Sequence, residues 1–249
     1  MRTWTLTPAY VGSPAAQAFP DLDAVFALKG QPIASDPLSD VIRVEIDGTG
    51  YYVKRYTGAG KNPLRRWLSR PRVRLEWKNL RAFAAWGIPT ARLVGYGLER
   101  RRGAFVRGAL ITEEIRDTQD MARLANNGDP RLRNPQWVDA VSRQIAAITR
   151  TLHAHHFAHN DLKWRNLLVT SGDAPTVSLI DCPSGMRWIE PFLSYRIIKD
   201  LACLDKVAKY QLSRTQRLRF YHRYTGRPRL DEADRKRIRH ILRFFEGRE

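Results

Sequence analysis

The sequence is poor in cysteine and in acidic residues, and it contains no long hydrophobic run. Its two cysteines, Cys182 and Cys203, form no CxxC pair, so no disulfide framework is predicted. No apolar stretch approaches the roughly 20 residues that a membrane-spanning helix needs. The first twenty residues lack the uninterrupted apolar core of a secretory signal. We therefore expect a cytoplasmic protein in a reducing compartment.

Positive charge is in excess. The 249 residues include 43 Lys and Arg against 25 Asp and Glu, which gives a net charge of +18. This excess is larger than solubility requires and predicts a polyanionic partner: nucleic acid, an anionic membrane or a phosphorylated substrate. Arginine is concentrated in residues 60–74 and 214–245. Charge alone does not decide between RNA and a membrane surface.

The N-terminal half has the pattern of strands with one helix. Residues 40–56, DVIRVEIDGTGYYVKRY, alternate around a DGTG turn and predict a β-hairpin, and residues 24–31 are interpreted as the preceding strand. A helix is predicted to begin near Pro71 and to end at Gly87. Within it, Glu76 shares a stripe with apolar residues, where a carboxylate needs a partner.

The rest of the chain turns from strands to helices. Two or three strands are predicted between residues 91 and 115, and a long helix over residues 134–156. A loop then leads into two short strands, and the pattern is helical from Ile189 onward. This order predicts an α+β fold with a β-rich N-terminal lobe (residues 1–115), a mainly helical C-terminal lobe (residues 116–249) and a cleft between them.

Five polar residues lie at positions where chemistry is expected. Lys54 lies in a strand, Glu76 on the inward stripe of the next helix, Asp161 and Asn166 on one loop, and Asp181 at a strand end. Each alone has a structural explanation: an outward-facing strand lysine, a helix ion pair, a helix cap or a turn. In this order they resemble the protein-kinase-like signature.

Three short stretches carry that resemblance. HNDLKWRN is similar to the catalytic loop HRDLxxxxN, LIDCPSG stands where DFG stands, and YYVKRY stands where the strand lysine stands. Phosphoryl transfer from ATP consists mostly of positioning and charge neutralisation, which explains the residue types. Lys54 is expected to hold the α- and β-phosphates with Glu76 as its partner. Asp181 and Asn166 are expected to coordinate Mg²⁺, whose preferred ligands are oxygens.

The remaining roles follow from the same resemblance. Asp161 is expected to orient the acceptor hydroxyl and accept its proton, and Lys163 to reach the transferred phosphoryl group or the acceptor. In the hinge sequence ITEEI, Thr112 is expected to guard the pocket, and backbone groups of Glu113 and Ile115 to meet the adenine edge.

Several neighbouring residues leave alternatives open. Four histidines between His153 and His159 suggest zinc, but their spacing matches no common zinc motif. Trp164 and Arg165 either face the substrate or, for the tryptophan, pack under the loop. Asp200 is either a surface residue of a helix or the aspartate that braces the catalytic loop in kinase-like folds.

Departures from the protein-kinase pattern narrow the resemblance. No GxGxxG precedes Lys54, DCPSG replaces DFG, no APE-like element follows, and residues 185–200 are too few for a long activation loop. Over residues 40–225 the chain resembles the bacterial lipopolysaccharide kinase family, which includes inner-core heptose kinases and Kdo kinases. The resemblance implies ATP-dependent phosphorylation of a sugar hydroxyl, most favourably a heptose of the inner core.

This resemblance also accounts for the charge. The acceptor would be an anionic glycolipid of the lipopolysaccharide core, and the protein would bind peripherally at the cytoplasmic face of the inner membrane, with no nucleic acid expected. Three alternatives remain: a protein kinase, a small-molecule phosphotransferase of the aminoglycoside type, and a non-catalytic module such as a pseudokinase or RNA-binding protein. The short segment 185–200 argues against a protein kinase, and the basic charge argues against an aminoglycoside-type enzyme. The retained Lys54, Asp161, Asn166 and Asp181 argue against a non-catalytic module.

Overall fold

The structure, a computed structural model, describes residues 1–57 and 71–247. Most of the arginine-rich segment 60–74 therefore lies outside the described residues. The predicted α+β class is confirmed, because an antiparallel sheet occupies the N-terminal part and the C-terminal part is mainly helical.

One compact unit comprises residues 1–83 and 90–115 and is built on a six-stranded antiparallel sheet. The sheet order is β1-β5-β6-β4-β3-β2. The predicted hairpin is formed by the third and fourth strands, and its turn uses positive φ at Asp47 (50°) and Gly48 (70°). In chain order the strands are β1 (Arg2–Leu6), β2 (Gln31–Asp36), β3 (Ser39–Ile46), β4 (Thr49–Tyr56), β5 (Leu93–Arg101) and β6 (Ala104–Glu113).

Two short helices, α1 (Pro14–Ala18) and α2 (Leu22–Ala27), pack on one face of this sheet. The predicted strand over residues 24–31 is therefore wrong. Asp21 starts a helix instead, because its side chain accepts the backbone N–H of Ala24, 2.9 Å away. The core that they form contains Ala15, Phe19, Leu22, Val25, Ile42, Val44, Tyr51, Val53, Val94, Ala109 and Ile111.

The predicted helix after Pro71 is confirmed as α3 (Arg72–Ala85). It approaches the sheet closely at Gly108, where a Cβ atom would lie 2.8 Å from Val73 Cγ1. Gly87, two residues beyond the helix, terminates it, since it adopts a φ of +71° and donates its N–H to the Ala84 carbonyl.

The other unit comprises residues 84–89 and 116–249. It contains the predicted helix after Asn134, whose side chain accepts N–H groups of the first turn. One face of that helix is buried and carries Trp137, Val141, Ile145, Ile148 and Leu152. The elements are β7 (Thr118–Asp120), α4 (Met121–Asn126), α5 (Pro135–Ala154), β8 (Phe157–Ala158), β9 (Leu167–Thr170), β10 (Val177–Leu179), β11 (Met186–Arg187), α6 (Phe192–Gln211), α7 (Arg214–Thr225) and α8 (Glu232–Arg243), with 3-10 turns at Pro130–Arg133 and Trp164–Asn166.

The N-terminal helices should contribute strongly to stability. Phe19 is fully buried, and its ring meets Tyr51 edge-on with centroids 5.4 Å apart. Phe19→Ala should destabilise the protein by about 3–5 kcal/mol, because it removes buried apolar surface and leaves a cavity. Urea unfolding measures the change. Phe192→Ala is the matched control, since Phe192 is 61% exposed; equal losses in the two variants would contradict the packing described.

Candidate active site

Lys54 and Glu76 are brought together inside the first unit. Alternation along β4 turns Lys54 and Tyr56 toward α3, while Val53 joins the core on the opposite face. Lys54 Nζ lies 3.1 Å from Glu76 Oε1, and Glu76 is only 3% exposed. The Tyr56 hydroxyl donates to the other carboxylate oxygen. The ammonium head is thus fixed by a buried carboxylate that itself has two partners.

The predicted hinge residues lie at the end of β6 and just beyond it. The Glu113 backbone N–H donates to the Arg92 carbonyl over 2.9 Å, so this residue can offer a ligand its carbonyl but not its N–H. The Glu113 side chain accepts the Tyr10 hydroxyl. Burial is the main cause that raises the pKa of Tyr10, and the hydrogen bond to Glu113 raises it further. Ile115 is the last residue of this unit before the chain enters the other one.

In the second unit, Asp200 clamps the loop that carries Asp161. Asp200 is fully buried in α6, and its two carboxylate oxygens accept the backbone N–H groups of His159 (2.7 Å) and Asn160 (2.8 Å). His153 Nε2 lies 3.5 Å from the same carboxylate. Backbone donors to a charged acceptor make strong hydrogen bonds. Of its two interpretations, bracing of the loop is therefore the one that the structure supports.

Asp161 is held between two cations of its own loop. Its carboxylate lies 2.6 Å from Lys163 Nζ and 3.0 Å from Arg165 Nη2. Burial alone would raise the pKa of this carboxyl, but the hydrogen bonds and charges of Lys163 and Arg165 together hold the pKa below its usual value. Asp161 is therefore ionised at neutral pH, and the Lys163 ammonium is in direct contact with it.

Strand register brings Asn166 and Asp181 together. Leu167 of β9 pairs with Leu179 of β10, and the ladder continues one step further, where the Ile180 N–H donates to the Asn166 carbonyl over 2.9 Å. Asp181 is the next residue and has a φ of 57°, uncommon for a residue with a side chain. The Asn166 side-chain nitrogen donates to the Asp161 carbonyl at 2.8 Å. Asp161, Asn166 and Asp181 therefore share one backbone framework.

The clustered histidines have separate surroundings. His153 Nδ1 lies 2.8 Å from the Tyr224 hydroxyl, and His155 stacks on Trp86 with ring centroids 4.2 Å apart. His159 is fully buried, which lowers its pKa and favours the neutral ring. Among the described residues, no group of three or more acidic, histidine or cysteine side chains is placed to hold a metal ion.

The two loop residues that remained open differ in role. Trp164 is 4% exposed and donates its indole N–H to the Leu204 carbonyl at 3.0 Å, so it packs under the loop rather than facing a substrate. The Arg165 side chain is 60% exposed and pairs with Asp161. Loop composition alone gave no means of separating these roles, because both side chains suit a surface and an interior.

An apolar cavity of about 490 Å³ lies among the helices of the second unit, where no sequence motif predicted one. Leu218 and Leu242 line it and remain 41% and 52% exposed, so the cavity reaches the surface. Arg217 and Asp205 form an ion pair beside it, with nitrogen and oxygen 2.6 Å apart. Its apolar lining includes Trp137, Val141, Ile145, Leu204, Ala208 and Tyr221.

These features define a class. A sheet with a lysine paired to a helix glutamate, followed by a helical unit with a braced Asp–Asn loop, is the arrangement of protein-kinase-like folds. The comparison with known families is specific: a model of the lipopolysaccharide kinase (Kdo/WaaP) family matches residues 36–224, about three quarters of the chain. The chain belongs to this family, as its sequence motifs indicated, and membership implies a kinase that uses ATP.

Two relatives agree with this assignment. The lipopolysaccharide core heptose(I) kinase WaaP of Pseudomonas aeruginosa is 29% identical over 236 residues, which cover 90% of this chain and 84% of the relative. A solved structure of WaaP in complex with acyl carrier protein matches with a TM-score of 0.65 and 26% identity, covering 98% of this chain and 94% of that one.

The buried position of Glu76 makes its removal costly. Glu76→Ala leaves the largely buried Lys54 ammonium without its carboxylate, and we expect a loss of about 3 kcal/mol of stability, measured by urea unfolding. Glu45→Ala is the matched control. Glu45 also pairs with a cation, Arg43, but its side chain is 59% exposed, and exposed pairs contribute about 0–1 kcal/mol. A smaller loss for Glu76 than for Glu45 would contradict the burial of the pair.

Proposed function

We propose that this kinase transfers the γ-phosphoryl group of ATP to a sugar hydroxyl of the lipopolysaccharide inner core, most favourably on a heptose. The observation that carries the proposal is the loop of Asp161, which is braced by Asp200 and joined through its backbone to Asn166 and Asp181. Family membership and the heptose kinase activity named for the relative support the choice of acceptor.

The first unit supplies the nucleotide contacts. Lys54, fixed by Glu76, neutralises the α- and β-phosphates. The adenine edge meets the Glu113 carbonyl and the backbone of Ile115. Since phosphoryl transfer needs little covalent chemistry from the protein, correct placement of these charges provides most of the catalysis.

The residues of the second unit fit a magnesium ion. Because the Asn166 side-chain nitrogen is bound to the Asp161 carbonyl, its side-chain oxygen is the atom left for a metal. Asp181 supplies a carboxylate from the adjoining strand end. Mg²⁺ is commonly held by one or two carboxylates together with substrate phosphates, so one acid and one amide are a sufficient protein contribution. When bound, the ion neutralises the charge that develops on the transferred group.

Asp161 acts on the acceptor. Its ionised carboxylate accepts a hydrogen bond from the attacking sugar hydroxyl and orients it. It takes the hydroxyl proton as the new phosphorus–oxygen bond forms and the bond from the γ-phosphorus to the bridging oxygen breaks, so that ADP leaves. Lys163, which pairs with this carboxylate in the free protein, exchanges that partner for an oxygen of the transferred phosphoryl group. Both residues lie on the loop that Asp200 fixes, so their relative position is preserved.

The basic charge suits an anionic acceptor at a membrane. The net charge of +18 favours encounter with a phosphorylated glycolipid and with anionic headgroups at the cytoplasmic face of the inner membrane. Within residues 1–57 and 71–247, no helix has the length and apolar character needed to cross a bilayer. We therefore propose peripheral attachment.

Only residues 186–191 separate Gly185 from α6, which gives little room for a peptide-binding activation loop.

Substitution of Asp161 tests the catalytic assignment. With ATP, Mg²⁺ and a dephosphorylated lipopolysaccharide core, Asp161→Asn should lower kcat by about 10²–10⁴-fold, because the acceptor loses its proton acceptor. New phosphate is located by mass spectrometry. Asp173→Asn, the same change in an exposed turn, should leave kcat unchanged. Equal transfer by both variants would show that Asp161 has no catalytic role. If RNA or protein is phosphorylated when offered as acceptor and the core is not, the glycolipid is excluded.

A second partner is supported by a separate observation. The WaaP relative forms a complex with acyl carrier protein, and an acyl carrier protein presents a fatty acyl chain. The apolar cavity of about 490 Å³ is within the usual ~300–1,000 Å³ range of ligand sites. It opens beside Arg214, a cation that suits an acidic carrier. We therefore propose that the cavity receives the acyl chain of an acyl carrier protein.

Filling the cavity tests this partner. Ala208 lines the cavity, and Ala208→Phe should occupy part of its volume and reduce retention of acylated carrier protein at least about tenfold, since the buried chain loses apolar contact. Gel filtration and intact mass spectrometry after co-expression measure the complex. Ala208→Ser, which adds little volume, should retain it. A complex that survives Ala208→Phe unchanged would place the acyl chain elsewhere.

A further inference from the structure

Three large apolar side chains are exposed within seven residues of the second unit. Ile189 is 76% exposed, Phe192 61% and Tyr195 48%. In the first turns of α6 the inward positions are taken by Leu193, which is buried, and by Ile197, which packs on the helical core. The outward positions of such a helix are normally polar. Here they hold aromatic rings, and although the Tyr195 ring meets Phe244 with centroids 5.6 Å apart, it remains about half exposed.

Cations flank these side chains in the sequence. Residues 186–199 contain Arg187, Arg196 and Lys199 and one acidic residue, Glu190. The Arg196 guanidinium lies over the Trp188 ring, 4.4 Å from its centroid, and 5.7 Å from the Tyr195 centroid. Apolar and aromatic side chains interspersed with Arg and Lys match the interface of an anionic bilayer, where rings enter the headgroup region and cations remain with phosphates.

The same arginine connects this surface to the catalytic loop. Arg196 Nη1 donates to Asn160 Oδ1 at 3.3 Å, and Asn160 directly precedes Asp161. The Asn160 side-chain nitrogen in turn donates to the Ser184 carbonyl at 2.9 Å. A molecule bound at the surface would therefore lie next to the loop proposed to act on the sugar.

We propose that Ile189, Phe192 and Tyr195, with Arg187, Arg196 and Lys199, form an insertion surface that docks into the headgroup layer of an anionic phospholipid bilayer. The purpose of this surface rests on the proposed function, because a glycolipid acceptor presents its sugars close to that layer. A lipid partner is favoured over a protein partner for this surface. Leu218 and Leu242, which are also exposed, line the cavity proposed for the acyl carrier protein. The insertion surface instead has protruding apolar side chains with flanking cations, which suit a lipid headgroup layer.

Vesicle binding tests the insertion surface directly. In sedimentation with mixed phosphatidylglycerol and phosphatidylcholine vesicles, the full-length double variant Ile189→Ser/Phe192→Ser should bind at least about tenfold more weakly than wild type. Val11→Ser/Tyr210→Ser removes side chains that are 71% and 73% exposed elsewhere and should bind as wild type does. Lys199→Gln should lower binding by about fivefold on mixed vesicles and have no effect on pure phosphatidylcholine. Unchanged binding of the first double variant would overturn the proposal.

Two further measurements separate this proposal from the proposed kinase activity and from the proposed acyl carrier protein site. The Ile189→Ser/Phe192→Ser variant should phosphorylate a delipidated, soluble core oligosaccharide at the wild-type rate but act slowly on the same core anchored in vesicles. If wild type phosphorylates neither acceptor while the variant still loses vesicle binding, the proposed function fails and the insertion surface stands. If the variant loses acyl carrier protein but keeps vesicle binding, the surface is a protein site and the proposal is wrong.

Discussion

The hydrogen bonds that the Asp200 carboxylate accepts from the backbone are the interaction on which the loop of Asp161 depends. The carboxylate is fully buried, and it fixes the loop by accepting the backbone N–H groups of His159 and Asn160. Because the contacts are to backbone rather than to side chains, they set the path of the chain immediately before Asp161. The costly burial of a carboxylate is offset by these two charge-assisted hydrogen bonds.

In the second unit, one braced loop connects several of the groups to which functions are proposed. From Asp161 the framework runs through the Asn166 side chain and the β9–β10 ladder to Asp181. From Asn160 it runs through Arg196 to the insertion surface. The carboxylate proposed to act on the acceptor and the proposed membrane contact are therefore linked through two neighbouring residues, Asp161 and Asn160. In the first unit, Lys54 and Glu76 form a comparable fixed pair, which Tyr56 completes from the same strand.

Much of the fold was predictable because its signals are local. The hairpin of residues 40–56, the helix after Pro71 and the helix after Asn134 each have a clear period and recognisable ends, and all three are confirmed. The strand over residues 24–31 was wrong, because the capping side chain of Asp21 and the burial of Leu22 and Val25 outweighed β propensity. Candidate site residues were found through motif order, whereas nothing in the local pattern indicated the apolar cavity.

The sequence by itself determined which chemical groups are present and in what order: Lys54, Glu76, Asp161, Asn166 and Asp181, on a strongly basic chain of the lipopolysaccharide kinase family. Tertiary structure alone decided which alternative applied to ambiguous residues. It buried Asp200 against the loop, placed Trp164 beneath it and left Phe192 and Tyr195 exposed. The reason is physical: periodicity fixes the face of a helix on which a residue lies, but whether that face is covered depends on contacts between residues distant in sequence.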